Sequence, residues 1–364
     1  MNFALAEDQR LLADSVGRLF ERHAADASRD RLAQWADYRD LGLLALPFGE
    51  EVGGLGGGAE EVVLVMEAYG RTLATAPYLQ SVLLAGRLLA ALSHPAAREL
   101  LAGVMAGERR AALCLYEPGA RYDWDMPSTR AEPDGSGWRL TGAKCAVLDA
   151  DEGTMLICPA ATADGLGLFL VPPDAQGVTL AVRPTPDGRR AADVRLEAVK
   201  LPGEAAIGDA RRSAEWLAAV IDGAVVAACA EMVGAMQRLL DLTVDYLGTR
   251  RQFGAPLGSF QALQHRAADM LVALEQARSI IFWAVSALDR PAPERAAAVA
   301  AAKALVNRSA RLIGQQAIQL HGGIGLTLDY AAGRYFQRLT VLEGLFGDSD
   351  HHLRQVERAG GVPA

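Results

Sequence analysis

Apolar residues recur every three to four positions over residues 4–25. Leu11, Leu12, Val16, Leu19 and Phe20 share one face there, and this spacing predicts an amphipathic helix. Trp35 and the stretch from Leu41 to Leu46 are apolar, and Pro47 with the glycines at 53–58 predicts a loop. Helical periodicity returns at about 59–73, 80–93 and 95–106. The texture changes near Ala111. Apolar runs of strand length begin at Ala111, Trp138, Gly153, Gly165, Gly177 and Ala191, separated by Asp, Gly and Pro turns. They predict roughly 90 residues of β structure, as a small barrel or sandwich. Beyond Arg211 the helical period resumes in four long segments, at about 211–247, 260–289, 292–320 and 329–344. These are rich in Ala, Leu and Val, as a four-helix bundle requires. The expected fold class is α+β multidomain. An N-terminal α-helical domain (1–110) precedes a middle small β-barrel or sandwich domain (111–208) and a C-terminal four-helix bundle (209–364).

Composition narrows the partners. The chain has 364 residues, 51% of them hydrophobic, and a net charge of −8. That length suffices for two or three domains with a substantial core. No basic patch points to nucleic acid. The cysteines at 114, 145, 158 and 229 fit no zinc spacing and are expected as buried thiols rather than disulfides. The six histidines form no ligand cluster, so no metal is expected. The opening MNFALAEDQR is acidic and amphipathic, unlike a signal peptide, and no apolar run reaches membrane length. A cytoplasmic protein without a membrane partner is the expectation.

Two motifs carry candidate chemistry. In the first, Arg250, Arg251, Gln252, Phe253 and Gly254 follow an apolar helix, and Pro256 and Gly258 break it before a new helix near Phe260. Arginine beside an aromatic at helix ends suits a pyrophosphate and an adenine. The same residues also suit a helix C-terminus whose dipole they complement. The second motif is QLHGGIG at 319–325, after a long alanine-rich helix.

In this order and separation the two motifs closely resemble the C-terminal domain of the acyl-CoA dehydrogenase family, and the helical, β and helical layout matches it. Trp35 to Gly58 resembles the family's lead-in helix and glycine-rich loop. No Lys-Ser or Lys-Thr follows those glycines, so a plain loop is expected. The resemblance implies FAD as cofactor. Arg250, Gln252, Phe253, Gln261, Gln319, Gly322 and Gly323 would hold its pyrophosphate and adenosine end for a neighbouring subunit. It also implies an acyl-CoA substrate, a dimeric or tetrameric assembly and an electron-transfer flavoprotein as acceptor.

The resemblance is lopsided. The family's reaction is α,β-dehydrogenation of the thioester, in which a carboxylate removes the α-proton. Aligned from Gly322, its Glu-Gly base position falls on Phe346-Gly347, and its alternative position on the first bundle helix falls on Ala224. Among nearby acids, Asp222, Glu231, Glu343 and Asp348 are expected in surface or capping roles. Glu343, itself followed by Gly344, is the choice if a base exists. In the β domain the family's Thr and Ser near the flavin and substrate become Tyr116 and Tyr122, and its Trp-x-Thr becomes Ala146 and Leu148. Those tyrosines also read as core aromatics.

A chain that completes a partner's flavin site would keep one half and lose the other. The sequence looks most like the small subunit of pimeloyl-CoA dehydrogenase-type heteromeric enzymes and similar steroid-side-chain dehydrogenases. Two alternatives stand beside it: a self-sufficient homo-oligomeric dehydrogenase with a displaced base, and a non-catalytic structural or binding homologue.

Overall fold

The computed structural model describes residues 5–26, 30–327 and 330–361. Residue 4 of the first expected helix, residue 329 of the last, and the first four residues of MNFALAEDQR lie outside them. The described helices are α1 (Glu7–Ala25), α2 (Arg31–Asp40), α3 (Ala59–Arg71), α4 (Arg87–Ala91), α5 (Pro95–Met105), α6 (Ser213–Thr249), α7 (Gln261–Ala287), α8 (Ala292–His321), α9 (Ala331–Gly344) and α10 (Ser349–Arg358). The strands are β1 (Arg110–Leu113), β2 (Arg130–Asp134), β3 (Gly137–Leu148), β4 (Thr154–Thr162), β5 (Gly165–Val171), β6 (Val178–Pro184) and β7 (Arg190–Leu201), with a small β8–β9 hairpin at Arg251–Gln252 and Ala255–Pro256. The chain forms two compact units. One comprises Met1–Arg29, Ala59–Ala74 and Val225–Ala364; the other comprises Asp30–Gly58 and Thr75–Ala224.

In the first unit, α3 lies against α6 through two reciprocal glycines. A Cβ on Gly70 would fall 1.9 Å from the Glu231 carbonyl oxygen, and one on Gly234 would fall 1.9 Å from that of Glu67. Any side chain at either position would drive the helices apart. The four long helices appear near their expected positions. Helix α10 is additional. Its residues, SDHHLRQVER, bury only His352, so no apolar period announced it. Asp348 starts it by accepting from the His351 N–H at 2.8 Å.

The expectation that no run reaches membrane length is corrected. α6 and α7 each contain an 18-residue window apolar enough to cross a membrane by length and composition. The α6 window is 78% buried within the protein, as a core helix is; that of α7 is only 39% buried.

In the second unit, seven strands form one sheet in the order β1-β4-β2-β3-β7-β6, with β5 also paired to β4. β1 and β2 run parallel to β4, and the other pairings are antiparallel. The sheet encloses an apolar core that includes Leu140, Leu156, Phe169, Val194 and Val199. β2 is a strand that the sequence pattern misses. Its residues RAEPD are polar and contain a proline, and their alignment with β3 (Ala131 opposite Leu140) comes from the β2–β3 hairpin.

The helix expected at 80–93 is also corrected. Tyr78–Gly86 is a π-helical segment, and only Arg87–Ala91 continues as α-helix. All nine π residues are buried, so contacts on every side, rather than one apolar stripe, set the backbone. Gln80 Nε2 donates to the Leu113 carbonyl at 3.3 Å and Ser81 Oγ to that of Ala111 at 2.9 Å, which ties the segment to β1.

Candidate functional site

Within the first unit the structure brings both motifs to one end of the helices. α6 stops at Thr249 and Arg250 begins a tight turn, in which the Leu257 N–H donates to the Arg250 carbonyl at 2.8 Å. Phe253 sits at the tip with φ +53, a conformation few large side chains adopt. Gly254 follows at φ +81. Phe253 is 92% exposed and touches Phe260 edge-on with ring centroids 6.2 Å apart. Arg250, Gln252 and Gln261 are exposed beside it in the sequence. α8 ends at His321. Gly322 then takes φ +67 and ψ −145, a region close to glycine-only, while Gly323 is open to added atoms.

Aromatic packing joins the two ends. The Tyr246 ring, one turn before Arg250, lies 4.7 Å from that of His321, and Tyr330 lies 5.0 Å from His321. Arg266 on α7 donates to Gln316 on α8 at 3.1 Å, each within two turns of Gln261 and Gln319 respectively. The result is an exposed cation, an exposed aromatic ring, side-chain amides and a glycine turn with free space beside it. Such a surface offers charge and donors to a pyrophosphate and a face to a heteroaromatic ring. Because its residues are exposed, it reads as one wall of a site.

The residues at the expected base positions are apolar in structure as in sequence. Phe346 is 5% exposed and held at φ +62. A polar network fixes the chain around it. Buried Lys303 donates to the Leu342 carbonyl at 2.6 Å and to Asn307 Oδ1 at 2.8 Å. Asn307 Nδ2 donates to the Glu343 carbonyl at 3.2 Å, and His352 Nε2 lies 3.1 Å from the Phe346 carbonyl. The orphan carbonyls at the end of α9 are thereby satisfied by a buried cation and an amide. Burial lowers the Lys303 ammonium to about 8. Burial, with Lys303 and His351 nearby, lowers the His352 imidazole to about 3. A Cβ on Gly347 would lie 2.6 Å from His352 Nε2, so only glycine fits there. Ala224 is fully buried.

None of the neighbouring acids stands free as a base. Glu343 is bound by Arg311 at the surface, and Asp348 caps α10, both in keeping with expectation. Glu231 corrects it. Its carboxylate is fully buried and accepts from Arg338 Nε at 2.7 Å and Nη2 at 2.9 Å. It is neither at the surface nor a cap, because its helical face turns inward against α9. Asp222 is half-buried on α6.

In the second unit, Tyr116 and Tyr122 pack edge-on with centroids 6.3 Å apart, both half-buried. Burial raises the Tyr116 hydroxyl. Ala146 adopts φ +52, and its N–H donates to Asp193 at 3.2 Å. Beside Tyr116, buried Glu117 accepts from Lys144 Nζ at 2.7 Å, from Ser128 N at 2.6 Å and from Thr129 N at 3.1 Å. Burial opposes ionisation, but these donors hold its carboxyl down to about 2. Glu117 is an anchor for the loop from Pro118 to Ser128, not a proton carrier.

Sequence reasoning missed Lys303, Asn307 and Lys144. A lone lysine inside the apolar run AAVAAAKALV was the available signal for Lys303. The four cysteines are free thiols, and no group of three or more metal-ligating side chains occurs among the described residues.

Comparison with known proteins agrees with the fold. Residues 6–108 match the family model of the acyl-CoA dehydrogenase N-terminal domain, and residues 218–361 that of the C-terminal domain. Human mitochondrial short-chain specific acyl-CoA dehydrogenase is 30% identical over 341 residues, 90% of this chain and 82% of that protein. A solved variant of the Tcur3481-Tcur3483 steroid ACAD is 31% identical, with a TM-score of 0.87 over 97% of each chain. The ChsE4-ChsE5 complex from Mycobacterium tuberculosis is 27% identical, with a TM-score of 0.87 over the full length of both chains. By sequence and by architecture, the chain belongs to the acyl-CoA dehydrogenase family.

Proposed function

We propose that this chain is the base-lacking subunit of a heteromeric acyl-CoA dehydrogenase and completes the flavin site of a partner chain. One contrast carries the reading. Phe253 and Gly322 present an open, ligand-ready surface, while the family's base positions hold buried Phe346 and Ala224. The residues present fit the outer end of FAD. Arg250 would neutralise the pyrophosphate, Phe253 would offer its ring to the adenine, and Gln252, Gln261 and Gln319 would supply amide hydrogen bonds beside Gly322 and Gly323. They do not fit the ring end: Tyr116 and Tyr122 occupy space where the family has smaller residues, and Ala146 and Leu148 lack side-chain donors. When bound, FAD supplies the hydride acceptor for dehydrogenation.

Resemblance to the Tcur3481-Tcur3483 and ChsE4-ChsE5 pairs supports a two-chain enzyme. So does the half-exposed apolar face around Val244, Leu271 and Val272, which a second helical chain would cover. An acyl-CoA is the substrate of the assembly, and an electron-transfer flavoprotein is its acceptor. The self-sufficient reading would make Glu343 the base, but Arg311 already engages that carboxylate. A non-catalytic scaffold would leave the exposure of Phe253 without a purpose.

Flavin content tests the reading. The chain purified alone is expected to be colourless and inactive. It should yield a yellow, acyl-CoA-oxidising complex when co-expressed with a base-carrying dehydrogenase chain of the same genome. About one FAD per chain, bleached by an acyl-CoA without any partner, would overturn it.

A further inference from the structure

His321 is the last residue of α8 and stands directly before the Gly322-Gly323 turn. It is 3% exposed. Its Nδ1 lies 2.8 Å from the Ala317 carbonyl, one turn back on the same helix. A carbonyl accepts only from an N–H, so the proton of the neutral ring sits on Nδ1. Nε2 is then a bare lone pair. It is shielded from solvent and completes no hydrogen bond, although the Leu242 carbonyl of α6 is within reach of the ring. Two acceptors that face each other away from water are unfavourable. A second proton removes the conflict, because the imidazolium donates from both nitrogens, to Ala317 on α8 and to Leu242 on α6. The Tyr246 and Tyr330 rings, at 4.7 and 5.0 Å, add π faces to that cation.

The two helix ends so joined carry the two flavin motifs. The Arg250 N–H, at the start of the Phe253 turn, donates to the Tyr246 carbonyl at 2.8 Å. On the other side the glycine turn folds back over the histidine: a Cβ on Gly325 would stand 3.0 Å from that of His321. The neutral ring bonds only its own helix, whereas the charged ring bonds both. Among the described residues no carboxylate or basic side chain faces the imidazole. Asp245 and Arg238 of α6 act on Tyr330 beyond it. Burial lowers the proton affinity of His321, and the Ala317 and Leu242 carbonyls oppose that loss.

We propose that His321 is a positioning residue of the flavin wall, whose protonation ties the end of α8 to α6 and sets the Gly322 turn against the Arg250–Phe253 turn. The proposal rests on the reading above, in which these turns hold the outer end of FAD. It adds that flavin binding takes up a proton here: a proton that tightens the wall is itself held more tightly when the flavin is present.

The test uses the partnered complex stripped of flavin and titrated with FAD from about pH 8 to about pH 6, across the histidine range. Affinity is expected to rise about two- to tenfold as pH falls, the range of one net hydrogen bond. Histidine C2 hydrogen–deuterium exchange, read by mass spectrometry on the peptide that contains His321, follows its titration in the same complex. Its midpoint should move up when FAD is bound. His321→Gln keeps an amide donor but does not titrate, and should bind FAD with an affinity independent of pH. His321→Phe keeps the ring stack without either hydrogen bond and should hold the weaker, alkaline affinity throughout. A histidine that only fills space would, when replaced, lower affinity equally at every pH and leave the slope intact. A flat profile in the parent complex, a slope that survives His321→Gln, or a midpoint unmoved by FAD would overturn this proposal alone. No FAD binding by the parent complex at any pH would overturn the outer-flavin reading with it.

Discussion

The buried pair of Glu231 and Arg338 gives a prediction with a calculable size. Arg338→Met removes two charge-assisted hydrogen bonds, at 2.7 and 2.9 Å, from a carboxylate with no solvent exposure. Glu231 cannot swing to water, because the α3–α6 contact at Gly70 fixes its backbone. Removing one partner of a buried ion pair typically costs about 3–5 kcal/mol. For a unit of roughly 150–250 residues, each kcal/mol shifts the melting point by about 2–4 °C, so a drop of roughly 6–20 °C is expected. The double variant Glu231→Leu/Arg338→Met replaces the pair by apolar groups and should recover to within about 1 kcal/mol of the parent. Thermal melts of parent, single and double variants, with urea midpoints as a check, measure both numbers. A single variant within about 1 kcal/mol of the parent, or a double variant no more stable than the single, would refute the reasoning.

Three further outcomes are expected. Phe253→Ala should leave the melting temperature unchanged, since the ring is 92% exposed, yet should lower the flavin content of the partnered complex; unchanged flavin would remove the ring from the site. Lys303→Met should cost about 1–3 kcal/mol, because the Leu342 carbonyl and Asn307 lose their donor, and a urea titration checks it. Acid should destabilise the fold in two stages. His352 stays neutral in the fold to about 3 against 6.5 in the open chain, so unfolded chains take up its proton first and stability falls as pH drops below 6.5. Glu117 stays ionised to about 2 against 4.5, so its contribution is complete above 4.5 and is lost toward 2. Melting temperatures followed from pH 7 downward should therefore fall from about 6.5, and His352→Gln should flatten the first stage; a curve that keeps its shape in the variant would exclude His352 as the cause.

Where the polypeptide period was regular, the elements could be read from it. The helices from Glu7, Ala59, Ser213, Gln261 and Ala292 each carry apolar residues at helical spacing. The strands β3 to β7 are apolar runs between turn residues. β2 was not legible, because RAEPD has neither β propensity nor apolar alternation and becomes a strand only through its neighbours. The π-helical segment was not legible either, since local propensity does not distinguish it from α-helix when every residue is apolar or buried. In the candidate site, Arg250, Phe253 and Gly322 could be picked out because a motif fixes their spacing. Lys303, Asn307 and His352 could not be grouped, because 49 residues separate the first from the last and only the fold makes them neighbours.

The sequence by itself determined which residue types stand at each chemically critical place. It put apolar side chains at both base positions, kept arginine, phenylalanine and glycine at the outer flavin motif, and set the order of helices and strands. These properties are local, carried by composition and period. Only the tertiary structure decided what each charged group faces. It turned Glu231 inward onto Arg338 and set Lys303 under the end of α9. The physical reason is that burial and pairing are long-range: a carboxylate or guanidinium has the same side chain everywhere, and its free energy depends on what packing brings to within a few ångströms of it.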